Sequence, residues 1–181
     1  VTSIVNAYDD GKSTGEIRKF FGMLGPSDIR KVQELMLPIN DPNYHIYKKL
    51  FNHRFSENIK RQEALNEIKN FLDNDNAELV GLKLESSYVR SHIKEFLNNF
   101  VVCLNTIEKL REVTFNFADC SIMNCIFAGA FLHFKRNISD STLFFGKLFN
   151  LRGNVIATNI ENKYLVGLRE NGEILYSEAE I

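Results

Sequence analysis

Cysteine and histidine are the residue types in this chain best suited to nucleophilic catalysis. Cys103 and Cys120 are the candidate nucleophiles, and His92 and His133 are the candidate bases. An imidazole that takes the thiol proton yields the thiolate that many hydrolases and transferases use. Neither cysteine lies in a recognisable nucleophile signature, and Cys103 lies among apolar residues. We therefore assign no catalytic residue, and keep a fragment of a cysteine-dependent hydrolase or transferase as the alternative function.

Three cysteine and histidine side chains are also spaced closely enough to reach one metal ion, with His92 or Cys103 as a distant fourth ligand. The three are Cys120, Cys125 and His133. Structural zinc needs four nitrogen or sulfur ligands, usually in two close pairs. The sequence offers no second close pair. We therefore predict that the cysteines are structural and that the chain holds no metal and no cofactor.

The segment Gly11-Lys12-Ser13-Thr14 is similar to the end of a phosphate-binding P-loop. A P-loop has another glycine five residues before its Gly-Lys pair, and this chain has Asn6 there. The preceding pair, Asp9-Asp10, would also repel a phosphate. We therefore interpret the segment as a polar loop in which Thr14 caps the following helix.

Aromatic and basic residues alternate between Tyr44 and Arg54, as they do in many nucleic-acid-binding segments. On a helix, Tyr47 and Phe51 would face the core, whereas Lys48 and Lys49 would face water. The formal net charge is −1, so no global field attracts nucleic acid. We predict a solvated basic helix face, and nucleic acid is an unlikely partner.

The first part of the chain shows the spacing of amphipathic helices. Apolar residues recur every three or four residues in five segments. The first of these follows Thr14 and ends near Gly22, and the others begin near Pro26, Pro42, Ser56 and Ser86. We predict a helical region over residues 1–110.

Beyond residue 110 the composition favours β-structure, because Phe, Ile, Val and Thr dominate. The clearest element is a hairpin between Lys163 and Glu178, whose turn is Asn171-Gly172. A two-residue turn there would pair Leu168 with Leu175. The predicted fold class is α+β. A helical N-terminal region, residues 1–110, precedes a β-rich region, residues 111–181. The β-rich region is a short β-helix-like solenoid or an antiparallel sheet, and it ends in the β-hairpin.

A register of fives runs from Val113 to Leu132, reading VTFNF, ADCSI, MNCIF and AGAFL. The third places hold Phe115, Cys120, Cys125 and Ala130. This register resembles a short, degenerate array of the pentapeptide-repeat family. The resemblance implies a right-handed quadrilateral β-helix in which the first and third residues stack inward. Members of that family also occur in secreted bacterial effectors.

The chain length and composition limit the remaining possibilities. A chain of 181 residues can build one substantial core or two small ones. No apolar run approaches the roughly 20 residues of a spanning helix, so we expect a soluble protein without a membrane span. The chain begins with Val1, which suggests a domain of a longer bacterial protein. An odd number of cysteines predicts folding in a reducing compartment, either cytoplasmic or secreted without a visible signal peptide.

These features together favour a non-catalytic protein–protein interaction module. The interruption of the register at His133 to Asp140 would place a variable loop beside the stacked core, and binding residues concentrate on such loops. Lys135 and Arg136 are the adjacent basic pair in this loop. We predict that they form the interaction surface for a protein partner with an acidic face.

Overall fold

The computed structural model describes residues 1–159, 161–164 and 166–176. Within these ranges it contains seven helices and four short strands. The strands are β1 (Thr2–Val5), β2 (Asn154–Ala157), β3 (Gly167–Leu168) and β4 (Ile174–Leu175). The helices are α1 (Lys12–Phe21), α2 (Ser27–Leu35), α3 (Tyr44–Asn52), α4 (Arg61–Asp73), α5 (Ser87–Arg111), α6 (Ile122–His133) and α7 (Ile138–Leu148). The structure is therefore mixed α and β, and its described part forms no closed solenoid.

Strands β1 and β2 form a parallel two-stranded sheet, in which Thr2 pairs with Asn154 and Val5 with Ala157. Parallel strands need a crossover connection, and here all seven helices lie within that connection. Helices α2 and α7 pack against the sheet. Strand β1 lies inside the region predicted to be helical. No local pattern marks this strand, because its pairing partner β2 is at the other end of the chain.

The five helices predicted before residue 110 are all present. Ser86 caps α5, and its Oγ accepts a hydrogen bond from Val89 N at 3.3 Å. Gly22 ends α1 in the left-handed conformation, with φ of 62°. The predicted capping role of Thr14 is wrong, because the N-cap of α1 is Gly11 and Thr14 lies within the helix.

The prediction of β-structure is wrong for most of residues 122–148, which form α6 and α7. Every residue from Ile122 to Phe131 is buried. A helix that is surrounded by protein needs no polar face, so its sequence lacks the helical period. Cys125 lies on α6, and Cys120 lies in the turn before it. The third residues of the fives therefore do not stack on one another in the coils of a β-helix. Ser121, which the register placed outside, is fully buried.

Helix α6 is the centre of the molecule. It packs against α5, α1, α3 and α7, and its side chains join a single hydrophobic cluster that contains residues from both sides of position 110. The division of the chain into two regions at that position stays a prediction. Within the described residues, no helix combines the length and apolar character needed to cross a membrane.

The C-terminal hairpin is present, but its register differs by one residue from the prediction. Leu168 pairs with Ile174, and Gly167 pairs with Leu175. Arg169 N donates to Glu173 O at 2.9 Å. The hairpin loop therefore has three residues. Loops of this length are common in hairpins, after those of two residues. The end of the predicted hairpin, residues 177 and 178, lies outside the described residues.

Candidate functional site

The loop after β1 and the segment after β2 meet at the carboxyl ends of the two parallel strands. Thr158 N donates to Val5 O at 2.9 Å, and Ala7 N donates to Asn159 Oδ1 at 3.1 Å. In open sheets of parallel strands, ligands bind beyond this edge. The candidate site begins here, in the loop that leads from β1 into α1.

Two glycines let this loop pack tightly against its neighbours. A Cβ atom at Gly15 would lie 2.1 Å from Asp10 O, and one at Gly25 would lie 2.3 Å from Asp9 O. No side chain can approach a backbone carbonyl so closely, so both positions require glycine. The carbonyl groups of Asp9 and Asp10 therefore face α1 and the segment before α2.

A polar cleft of about 160 Å³ opens beside the loop. It combines hydroxyl groups, two cationic side chains and one carboxylate. The lining residues are Asp9, Gly11, Ser13, Thr14, Ser27, Lys31 and Arg54. We call it the loop cleft.

Hydrogen bonds join three helix N-terminal regions at the loop cleft. Thr14 Oγ1 on α1 forms a short hydrogen bond with Ser27 Oγ at the start of α2. Asn124 Nδ2 on α6 donates to the same Ser27 Oγ at 3.4 Å. The first turn of each of these helices therefore contributes to one polar cluster.

Arg54 is held at the cleft by the turn that precedes α6. Its Nη1 donates to Asp119 O at 2.7 Å and lies 3.4 Å from Asp119 Oδ1. Asp119 has a φ of 52°, which is strained for a residue other than glycine. Burial lowers the pKa of the neighbouring Arg30, and the positive charge of Arg54 lowers it further. This side of the cleft therefore carries the Arg54 guanidinium beside the Asp119 carboxylate, with a second guanidinium, that of Arg30, close by.

A second cleft of about 380 Å³ adjoins the first, and Ser13 lines both. Its other lining residues are Glu16, Glu57, Asn116, Ala118 and Asp119. This second cleft is acidic, whereas the loop cleft carries the cations. The two clefts together give the site a positive half and a negative half on either side of Ser13.

Several buried polar atoms at the site have no hydrogen-bond partner among the described residues. They are Ser13 Oγ, Ser121 Oγ and Asn124 Oδ1. An unpaired buried polar group costs about 1–3 kcal/mol. Groups of this kind concentrate at functional sites, where a ligand supplies the missing partner.

The loop that precedes α1 was predicted to be a polar loop without a phosphate site. Gly11, Ser13 and Thr14 line the loop cleft, although the missing P-loop glycine argued against a phosphate site. The informative signal in the sequence was the set of glycines at positions 11, 15 and 25. Arg54 was noted only as the end of a basic segment that was predicted to face water. Ser27 and Asn124 gave no functional signal, because only folding brings these three residues to the loop.

The candidate cysteine nucleophiles have no support in the structure. Cys120 is fully buried. Cys103 and His133 line the same shallow depression on α5 and α6, but burial raises the pKa of the Cys103 thiol, which opposes thiolate formation. His133 Nδ1 instead lies 3.2 Å from Glu95 Oε1. His92 Nδ1 contacts a backbone carbonyl of its own helix at 2.9 Å.

The cysteine pair considered for metal binding lies in the core. Cys120 Sγ and Cys125 Sγ are 3.8 Å apart, and both residues are fully buried. His133 pairs with Glu95 instead of joining them. No group of three or more histidine, cysteine or acidic residues in the described part of the chain could hold a metal ion. A reducing folding compartment stays a prediction.

The predicted interaction surface lies in the turn between α6 and α7. Lys135 is exposed, and Arg136 Nη1 donates to Phe21 O at 3.1 Å, at the end of α1. Both residues have positive φ, at 53° and 66°. Arg136 therefore connects two helices. The assignment of a partner surface to this pair stays a prediction.

Two solved structures of one bacterial protein have a similar fold. Protein BH3568 from Bacillus halodurans matches with a TM-score of 0.59 and 22% identity over 100% of this chain and 39% of that chain. A second structure of the same protein, described as a member of the UPF0052 family, matches with a TM-score of 0.59 and 21% identity over 99% of this chain and 38% of that one. This chain thus spans about two fifths of their length. No curated protein matches it.

A family model matches residues 1–181, which is the whole chain, and its description is 2-phospho-L-lactate transferase CofD. This match overturns the resemblance to the pentapeptide-repeat family and the effector interpretation drawn from it. It also overturns the expectation of a non-catalytic interaction module, because the family is one of enzymes. Of the two functions weighed from the sequence, the transferase alternative fits better. The chain belongs to the CofD family.

Proposed function

We propose that this chain forms the part of a 2-phospho-L-lactate transferase that binds the phosphate group of the substrate. 2-Phospho-L-lactate carries a phosphate and a carboxylate, so its site needs N–H and O–H donors and positive charge. The proposal is supported by the description of the family and by the chemistry of the loop cleft.

The observation that carries the proposal is the position of Arg54. The segment after α3 brings its guanidinium to the cleft that the first turn of α1 also lines. A guanidinium can bind a phosphate through two parallel hydrogen bonds. The amide groups of a first helical turn lack carbonyl partners within the helix, and they favour anions. These two donors would reach one phosphate group from two directions.

The charges of the loop cleft are compatible with an anion. Lys31 and Arg54 are cationic, and Asp9 is the single carboxylate in the lining. Asp9 Oδ1 accepts a hydrogen bond from Gly11 N at 3.0 Å, so this oxygen is engaged by the loop itself. The hydroxyl groups of Ser13 and Thr14 add further donors. The hydrogen bond from Gly11 therefore reduces the repulsion expected from Asp9, while neutral donors and the two cations, which pair with Asp28 and Asp119, line the same cleft.

The test is titration calorimetry of the folded chain with 2-phospho-L-lactate and with L-lactate, which lacks the phosphate. We expect binding of the phosphorylated compound only. Arg54→Gln should weaken the binding of 2-phospho-L-lactate about 10-fold to 100-fold, because a hydrogen bond to a charged group contributes about 1.5–3 kcal/mol.

The matched control is Arg169→Gln. Arg169 is an exposed arginine that also pairs with one carboxylate, at 2.9 Å from Glu173 Oε2, but it lies in the hairpin. This variant should bind as the unchanged chain does. Equal affinity for L-lactate, or no effect of Arg54→Gln, would contradict the proposal.

A further inference from the structure

Arg18 is a fully buried arginine beneath the loop of the candidate site. Its Nη1 donates to Tyr8 O at 2.5 Å and to Asp9 O at 3.3 Å. Its Nη2 donates to Asn162 Oδ1 at 3.1 Å and to Lys163 O at 2.5 Å. One side chain therefore connects the loop after β1 to the segment after β2.

The acceptors that bind Arg18 are neutral oxygen atoms of the described residues. Its guanidinium also stacks on the ring of Tyr164, at 4.3 Å from the centroid. Burying a cation without a carboxylate is costly, and an apolar residue of similar volume is often more stable. The presence of a charged side chain here thus calls for a reason other than stability.

That reason lies in the orientation of the loop peptides. A trans peptide is planar, and its N–H and C=O point in opposite directions. Arg18 binds the carbonyls of Tyr8 and Asp9, and the Asp10 carbonyl faces Gly15. The N–H groups of residues 9 and 10 therefore point away from this buried side of the loop, whereas that of Gly11 donates to Asp9 Oδ1.

Successive N–H groups that share a direction form an anion-binding concavity in many phosphate sites. The carbonyl groups of such a loop must be held on the opposite side. In this protein Arg18 supplies hydrogen bonds to two of these carbonyls, while Gly15 and Gly25 leave room for Asp10 O and Asp9 O. A lysine at position 18 would keep the charge, but its single nitrogen could not connect both segments.

We propose that Arg18 is a positioning residue, which orients the peptides of residues 8–10 for phosphate binding and fixes the segment 162–164 against them. This inference rests on the proposed function, because the phosphate is the ligand of that site. Arg18 acts through the backbone of the loop and does not line the loop cleft.

The test compares Arg18→Lys with Arg90→Lys. Arg90 is a close structural match, since its Nη2 donates to Asn74 O at 3.2 Å and to Ala77 O at 2.5 Å. It also stacks on an aromatic ring, 4.6 Å from the centroid of Phe71, and its Nε is unpaired in the described residues, as that of Arg18 is. Arg90 contacts neither the loop nor its cleft.

Affinity for 2-phospho-L-lactate is measured by calorimetry at a temperature where circular dichroism shows each variant to be folded. We expect Arg18→Lys to weaken binding about tenfold or more, because small displacements of positioned groups have effects of this size. We expect Arg90→Lys to change the affinity less than about twofold, although both variants lose hydrogen bonds to carbonyl groups.

A second variant, Asn162→Ala, keeps Arg18 and removes one of its partners. It should weaken binding in the same direction and remain folded, because Asn162 lies outside the core cluster. Wild-type affinity in Arg18→Lys or in Asn162→Ala, or an equal loss in Arg90→Lys, would overturn the inference while the proposed function stands. Absence of binding in the unchanged chain would overturn the proposed function and the inference with it.

Discussion

Asn124 Nδ2, on α6, donates a hydrogen bond to Ser27 Oγ, at the start of α2, over 3.4 Å. Both residues are buried, and Asn124 Oδ1 has no partner among the described residues. This bond connects the central helix to the loop cleft. It places the segment that resembled a repeat array at the candidate site, where it supplies a polar side chain from inside the core.

The first prediction concerns this amide. Asn124→Ala removes the donor to Ser27 and the unpaired Oδ1, so the change in stability should be small or moderate, below about 2 kcal/mol. The affinity for 2-phospho-L-lactate should fall severalfold, because Ser27 lines the loop cleft and loses its fixed orientation. Calorimetry and urea unfolding measure the two effects. Asn66→Ala, on the exposed face of α4, is the control and should change neither quantity. A large loss of stability with unchanged affinity would show that Asn124 serves only the core.

The second prediction compares two glycines. Gly15→Ala would place Cβ 2.1 Å from Asp10 O, whereas a Cβ at Gly146 on α7 meets no atom within 4 Å. Gly15→Ala should therefore lower the free energy of unfolding by about 1–3 kcal/mol. Gly146→Ala should raise it by roughly 0.5–1 kcal/mol, because alanine loses less backbone entropy in a helix. Urea unfolding measures both. Effects of the same sign would contradict the described packing of the loop.

The third prediction concerns stability at alkaline pH. Burial raises the pKa of Cys125 well above 9.0, and the neighbouring Cys120 raises it further. Above about pH 9 the unfolded chain releases the Cys125 proton, while the folded chain retains it. The free energy of unfolding therefore falls as pH rises, by up to about 1.4 kcal/mol per pH unit for this group.

The measurement is urea unfolding of the unchanged chain and of Cys125→Ala between pH 7.5 and about pH 10.5, under reducing conditions. Lysine and tyrosine groups titrate in both proteins, so their contributions cancel in the difference. The stability of Cys125→Ala relative to the unchanged chain should rise with pH. A pH-independent difference would show that the buried thiol does not contribute.

The fourth prediction concerns the accessibility of the three thiols. Cys103 is half-buried, whereas Cys120 and Cys125 are fully buried. A thiol reagent should therefore label Cys103 first in the folded protein, and the other two only after denaturation. Mass spectrometry of the labelled protein identifies the order. Rapid labelling of Cys120 in the native state would contradict its position in the core.

Amphipathic spacing and turn residues were sufficient to predict the elements whose stability is decided locally. The helices before residue 110 have one apolar face and clear end signals, such as Ser86 and Gly22, so their positions could be predicted. Asn171-Gly172 likewise predicted the hairpin. The one-residue difference in its register arises from the loop length, which the two turn residues alone do not specify.

The central helix and the candidate site depended on contacts between distant parts of the chain. Helix α6 is buried on all sides, so its sequence has no polar face to distinguish it from a strand. Its composition therefore suggested β-structure and a repeat register. The sheet of β1 and β2 was missed because its paired residues, such as Thr2 and Asn154, are separated in sequence by all seven helices.

For the site, the sequence by itself determined the residue types of the loop from Asp9 to Thr14 and the glycines around it. Tertiary structure decided that Ser27, Arg54 and Asn124 come to the same place. It also decided that Arg18 is buried beneath the loop. The physical reason is that an anion site is built from peptide directions and from charges brought together in space. Neither property is visible in local spacing, because both depend on which distant carbonyls and side chains occupy the space beside the loop.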